Sequence, residues 1–208
     1  MKLSQVRRRY ERDLDGQWFW WRDTIYIQVR GFSHIGYQRA IRAAQSAHPA
    51  PPAVTEDSSA DEVREHQKAT EEREHAIGLA LLPAVARELW LNWWGVDAEV
   101  DPVELDVGES PVVRVVATVG KFVLETLEHE GRSYRREGNL WQEMVPYTPE
   151  LGLATLQDPK CADLLNAVRA ASGQVERTTL VEDALALGKL RTTSAGTSPM
   201  ATTKSSSG

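Results

Sequence analysis

The sequence predicts an α+β fold, mainly α: an N-terminal β-hairpin, a helical core, a β-containing insertion and a disordered C-terminal tail. Three observations carry this. Residues 24–30 alternate apolar and polar behind an aromatic run, the period-two signature of a half-buried strand. Helix-starting devices recur at Ser59, Thr148 and Asp158, the last leading directly into an apolar stripe. From Thr192 onward the chain is rich in Ser, Thr and Gly, too polar to bury a core.

Residues 1–17 form a charged segment ending in the turn signal Asp13-Leu14-Asp15-Gly16. Trp18-Phe19-Trp20-Trp21, the Arg22-Asp23 break, and Thr24 to Arg30 make the hairpin, which joins a helix to span 18–47. Ser33 is a candidate N-cap for that helix, whose stripe is Ile35, Tyr37, Ile41 and Ala44. The Pro-rich stretch 48–58 is a linker. Ser59-Ala60-Asp61-Glu62 is a capping box for a long helix, 59–96, charged in its first half, apolar from Ala76 to Trp94 and kinked at Pro83, with Gly95 ending it.

Residues 97–146 form the β-containing insertion. Val112 to Val119 reads as a strand, 121–130 is open between strand and helix, and 131–138 is charged and loop-like. In the C-terminal helices, 147–190, Thr148 caps a helix with Pro149 at its first position, and Asp158-Pro159 repeats the device. The second of these carries Cys161, Leu164, Leu165, Val168 and Ala171 on one face and stops at Gly173; Thr179-Leu180-Val181-Glu182 then starts a short last helix. Residues 191–208 are the disordered tail, and 18–190 one domain.

The 208 residues suffice for one domain with a modest core. A net charge of −6 disfavours nonspecific phosphate binding, so no nucleic-acid partner is expected despite Arg7-Arg8-Arg9. One cysteine permits no internal disulfide and fits a reducing cytoplasm. No apolar run nears the roughly 18 residues of a membrane helix, and the basic, polar N-terminus lacks the core of a secretory signal, so a soluble cytoplasmic chain without membrane partners is expected.

Motifs for chemistry fail one by one. A calcium loop placed on Gly16 has Arg22 where a bidentate Glu is required. His66 and His75 lie nine apart, and His129-Glu130 meets Ser133 where a zinc protease needs its second His. There is no Gly-rich phosphate loop or nucleophile elbow, and Cys161 sits on an apolar stripe as a buried thiol. The expectation is a protein without catalytic residues, cofactor or metal. Seven tryptophans make aromatic packing or docking the more informative feature. Trp90, Trp93, Trp94 and Tyr147, with Leu164, Leu165 and Val168, are the candidate packed centre. Trp18, Trp20, Ile25 and Ile27 are the candidate partner-facing hairpin.

The order of these pieces resembles a known family. The aromatic hairpin leads to Val29-Arg30-Gly31, then Tyr37-x-Arg39-Ala40, a charged linker and Trp94-Gly95-Val96. Then come Val145-Pro146-Tyr147-Thr148-Pro149-Glu150, Leu156-x-Asp158-Pro159 and Ala170-Ala171-Ser172. This is similar to the tail assembly chaperones of long-tailed phages and prophages, over roughly residues 16–190 in pieces. The resemblance implies a protein that binds the tape measure protein, keeps it soluble, recruits tail tube subunits and is lost from the finished particle, with self-association left open. One departure stands out: family members pass from the Trp-Gly phrase to the Tyr-Thr-Pro-Glu phrase by a short polar loop, whereas about fifty residues, 97–144, intervene in this chain. A permanent tail or neck subunit of the virion is the alternative, favoured by that insertion.

Overall fold

The structure, a computed structural model, describes residues 16–105 and 113–194. The Arg7–Arg9 cluster, the Asp13-Leu14-Asp15 part of the turn signal and residues 195–208 of the expected tail lie outside them, whereas residues 191–194 of that tail are helical rather than disordered. The hairpin forms as expected: β1 (Gln17–Arg22) pairs antiparallel with β2 (Ile25–Val29), with a bulge between Trp20 and Arg22. Asp23 takes the positive φ of the turn, a conformation Asp tolerates better than most residues.

Helix α1 (Ile35–Ala47) starts one residue later than a Ser33 cap requires. His34 occupies the N-cap without a side-chain capping bond, and the Ser33 amide donates instead to the Glu176 carboxylate at 3.1 Å. Helix α2 (Ala60–Ala84) carries the full Ser59–Glu62 capping box. It runs through Pro83 and widens into a π-helical segment, Val85–Leu89, just after the residue whose ring and missing N–H disturb the hydrogen-bond ladder.

The expected helix over 59–96 ends there, because Trp90–Trp94 is strand β3, paired with β2. Aromatic runs suit both periods, and pairing with a buried central strand decides between them. Gly95, at φ 85, closes the strand; a Cβ there would overlap the Thr24 carbonyl oxygen.

The described part of the insertion contains a four-stranded antiparallel meander: β4 (Val113–Val119), β5 (Phe122–His129), β6 (Arg132–Glu137) and β7 (Leu140–Met144). The charged stretch expected to be a loop contains β6. Its charges disguise the alternation, since Arg135 is buried while its guanidinium makes two bonds to Asp97, at 2.7 and 2.6 Å. The insertion leaves and rejoins the rest of the chain at one point: the Val145 amide donates to the Val96 carbonyl at 2.8 Å, and Asp97 bridges to Met144.

Thr148 caps α3 (Pro149–Gln157), and Asp158 caps a 3₁₀ turn, Pro159–Cys161, as their sequences predict. Helix α4 (Ala162–Ser194) then runs without interruption, contrary to the expected stop at Gly173 and restart at Thr179. An isolated glycine costs only about 1 kcal/mol in a helix. The Thr178 and Thr179 hydroxyls bond back to the Gln174 and Val175 carbonyls rather than capping a new start.

These corrections overturn the mainly α expectation. Among the described residues, four helices stand against seven strands in two antiparallel sheets, a roughly balanced α+β fold. The main core lies where β2 and β3 meet the π-helical segment, α3 and α4, with Ile27, Val29, Leu89, Trp90, Leu164 and Val168 fully buried.

Candidate functional site

Pairing across the first sheet sorts its side chains, because directly opposed residues share a face. Trp18 lies opposite Gln28, Trp20 opposite Tyr26, and Tyr26 in turn opposite Trp94. Trp18, Trp20, Tyr26 and Trp94 therefore share the face turned toward the second sheet. Ile25, Ile27 and Val29 take the opposite face by alternation. The four hairpin residues picked from sequence are thus divided between two faces. Trp20 is 61 % exposed, Trp18 and Ile25 are half-buried, and Ile27 is sealed in the main core.

The packed centre contains most of its candidates. Trp90, Trp93 and Tyr147 form a ring cluster with centroids 4.9–5.4 Å apart. Each polar handle finds a carbonyl: Trp90 Nε1 donates to Asn92 at 2.9 Å, Trp93 Nε1 to Val145 at 2.6 Å, and the Tyr147 hydroxyl to Ala86. Burial, with a smaller contribution from Glu150, pushes the Tyr147 phenol far above its ordinary pKa, so it stays a neutral donor. Leu164 and Val168 pack in the same core, with Leu165 half-buried beside it. Trp94 does not join the cluster. It stands edge-on to Tyr26 at 6.0 Å and donates through Nε1 to the Glu125 carbonyl of β5 at 3.2 Å, tying the sheets together.

The sheets enclose two depressions. One, of about 450 Å³, is mostly polar and includes Trp18, Gln28, Asn92, Arg114 and Glu128. The other, of about 810 Å³, is apolar and lies among Trp20, Tyr26, Trp94, Phe122, Val123 and Leu124. Sequence reasoning missed Tyr26, Phe122 and Val123. Tyr26 stands among the polar positions of β2, and Phe122 and Val123 fall in the stretch whose period left strand and helix open. The signal for Tyr26 was the alternation itself, which puts it on the face of Trp20.

No group of His, Cys, Asp and Glu suited to a metal occurs among the described residues. Cys161, expected buried on the apolar stripe of its helix, is half-buried at the end of the 3₁₀ turn just before that helix, packed against the main core with its Sγ 3.5 Å from an Arg22 guanidinium nitrogen. No described helix is long and apolar enough to cross a membrane. No family model matches the chain, nor does any curated protein or solved structure.

Proposed function

We propose that this chain is a tail assembly chaperone of a long-tailed phage or prophage. In this reading it acts in the host cytoplasm without catalysis, binds the tape measure protein, keeps it soluble, helps recruit tail tube subunits and is absent from the mature particle. The resemblance in the order of its motifs suggests the reading, and one structural observation supports it most. The two halves of the family phrase, far apart in sequence, pack as neighbours: the Trp93 and Tyr147 rings are 5.2 Å apart, and Trp93 bonds to Val145. The insertion therefore interrupts the phrase in sequence but not in space. A tape measure protein exposes long apolar helices before the tube encloses them, and an aromatic-lined groove suits such a client.

Co-expression with the tape measure protein tests the reading. A soluble, co-purifying complex is expected; a tape measure protein that stays insoluble, with no complex recovered, sinks it. The second reading, a permanent tail or neck subunit, draws support from the inserted sheet, whose edge strand β4 exposes Val115 and Val116. Mass spectrometry of purified particles separates the two: stoichiometric presence favours the structural subunit, and absence favours the chaperone.

A further inference from the structure

We infer that the apolar groove between the two sheets holds a partner polypeptide through a short segment in which apolar side chains are flanked by carboxylates. Three large side chains around one depression keep most of their surface after folding: Trp20 at 61 %, Phe122 at 54 % and Val123 at 51 % exposed. Clustered apolar exposure of this kind marks a binding surface more often than scattered single residues do. The groove is also ordered in advance. Trp20 Nε1 is tied to the Asp23 carbonyl at 3.0 Å, and buried Tyr26 contacts both the Trp94 and the Phe122 rings, at 6.0 and 6.4 Å. Fixed aromatic anchors lose little freedom on binding.

Charge selects the occupant. The whole chain is acidic, at −6, yet the groove carries Lys121 and Arg136 against the single carboxylate of Asp23. The third cation there, Arg135, is already neutralised by Asp97 and Glu137. Lys121 lies 5.4 Å from the Phe122 ring, and Arg136 donates to the Gly138 carbonyl. Neither forms an ion pair with another described residue. A carboxylate-bearing segment is repelled by the chain as a whole and welcomed at this rim, which gives both specificity and steering. A second copy of the chain fits worse. Two-fold pairing sets one patch against itself, and so brings Lys121 and Arg136 of both copies together. The inference deepens the chaperone reading and rests on it for the partner's identity, whereas the chemistry of the groove stands on its own residues.

An array of random short peptides, probed with the full chain at low and moderate salt, tests it. Bound peptides should be enriched in Trp, Phe and Leu beside Asp or Glu, and weaken as salt rises. Phe122→Ser combined with Val123→Ser, at exposed positions, should lower the signal at least about tenfold. Lys121→Glu combined with Arg136→Glu should turn the enrichment toward Lys and Arg. No enriched peptide class, a class indifferent to both variants, or a dimer in sedimentation that Phe122→Ser abolishes would overturn the inference. The two proposals fail separately. A tape measure complex that groove variants form as tightly as wild type removes the groove and leaves the chaperone. Acidic-apolar selection on the array with an insoluble tape measure protein does the reverse.

Discussion

The two sheets are both antiparallel and differ in what covers them. The first, β1 to β3, lies against α3, α4 and the π-helical segment, and this face supplies the fully buried Ile27, Val29 and Trp90. The second, β4 to β7, has β1 rather than a helix as its main packing neighbour. It buries Leu124, Leu127, Tyr134 and Met144 but exposes Val115, Phe122 and Val123. Its interior is partly polar, with the Arg135–Asp97 pair and Gln142 donating to the Ala98 and Val100 carbonyls at 3.2 and 3.0 Å. A sheet reaches full stability when a second layer covers its apolar face. The first sheet has that layer within the chain, and the second has apolar surface left over.

The largest effect should come from the covered sheet. Trp90→Ala removes a fully buried ring that packs on Trp93 and Tyr147, and should cost about 3–5 kcal/mol. Urea unfolding followed by far-UV circular dichroism would read this as loss of structure throughout. In the second sheet, Leu124→Ala should cost about 2–3 kcal/mol, the low end for a buried leucine, because one side of this sheet is thinly covered. Hydrogen exchange should then rise across β4–β7 while β2 and β3 stay protected. Equal loss of protection in both sheets would show them to be one cooperative unit and erase the contrast drawn between them.

A smaller change probes the seam where the insertion joins. Tyr147→Phe keeps the ring and removes only the hydroxyl that donates to the Ala86 carbonyl in the π-helical segment. It should cost about 1–2 kcal/mol, the usual penalty for a buried group left unpaired. The midpoint of urea unfolding should fall with its slope unchanged.

What the sequence disclosed follows the same division. Local devices were legible: the capping box at Ser59, the Thr148-Pro149 and Asp158-Pro159 starts, and the alternation of β2. Each is decided by a few neighbouring residues. Features that depend on distant partners were not legible. Trp90–Trp94 becomes a strand because β2 is there to pair with it, and Arg135 enters an interior because Asp97 waits about forty residues earlier. Gly173 fails to break α4 because Ser172 and Val175 on either side are buried and hold the helix in place. Of the candidate site, Trp20 was found on its own, but the groove needed Phe122 and Val123 from another sheet, and no short-range pattern links them.

The smallest expected effect lies outside both sheets, at the start of α2, and serves as a control on the comparison. Ser59→Ala removes the hydroxyl that accepts from the Glu62 amide at 3.3 Å, and should cost about 1 kcal/mol. Exchange should quicken only in the first turns of α2, leaving β2 and β5 alike. The same box carries a pH signature. The Ser59 backbone amide, and then its hydroxyl, hold the exposed Glu62 carboxylate below its ordinary pKa of 4.5. A depressed acid stabilises the folded state above its unfolded pKa and loses that contribution as pH falls through its folded value. Fraying of the α2 start should therefore grow as pH drops below about 4.5 in the wild type. Glu62→Gln, which keeps the geometry of the box without a titrating proton, should flatten that dependence. A wild-type helix start whose exchange protection stays constant down to acid pH would mean that the box contributes through shape alone.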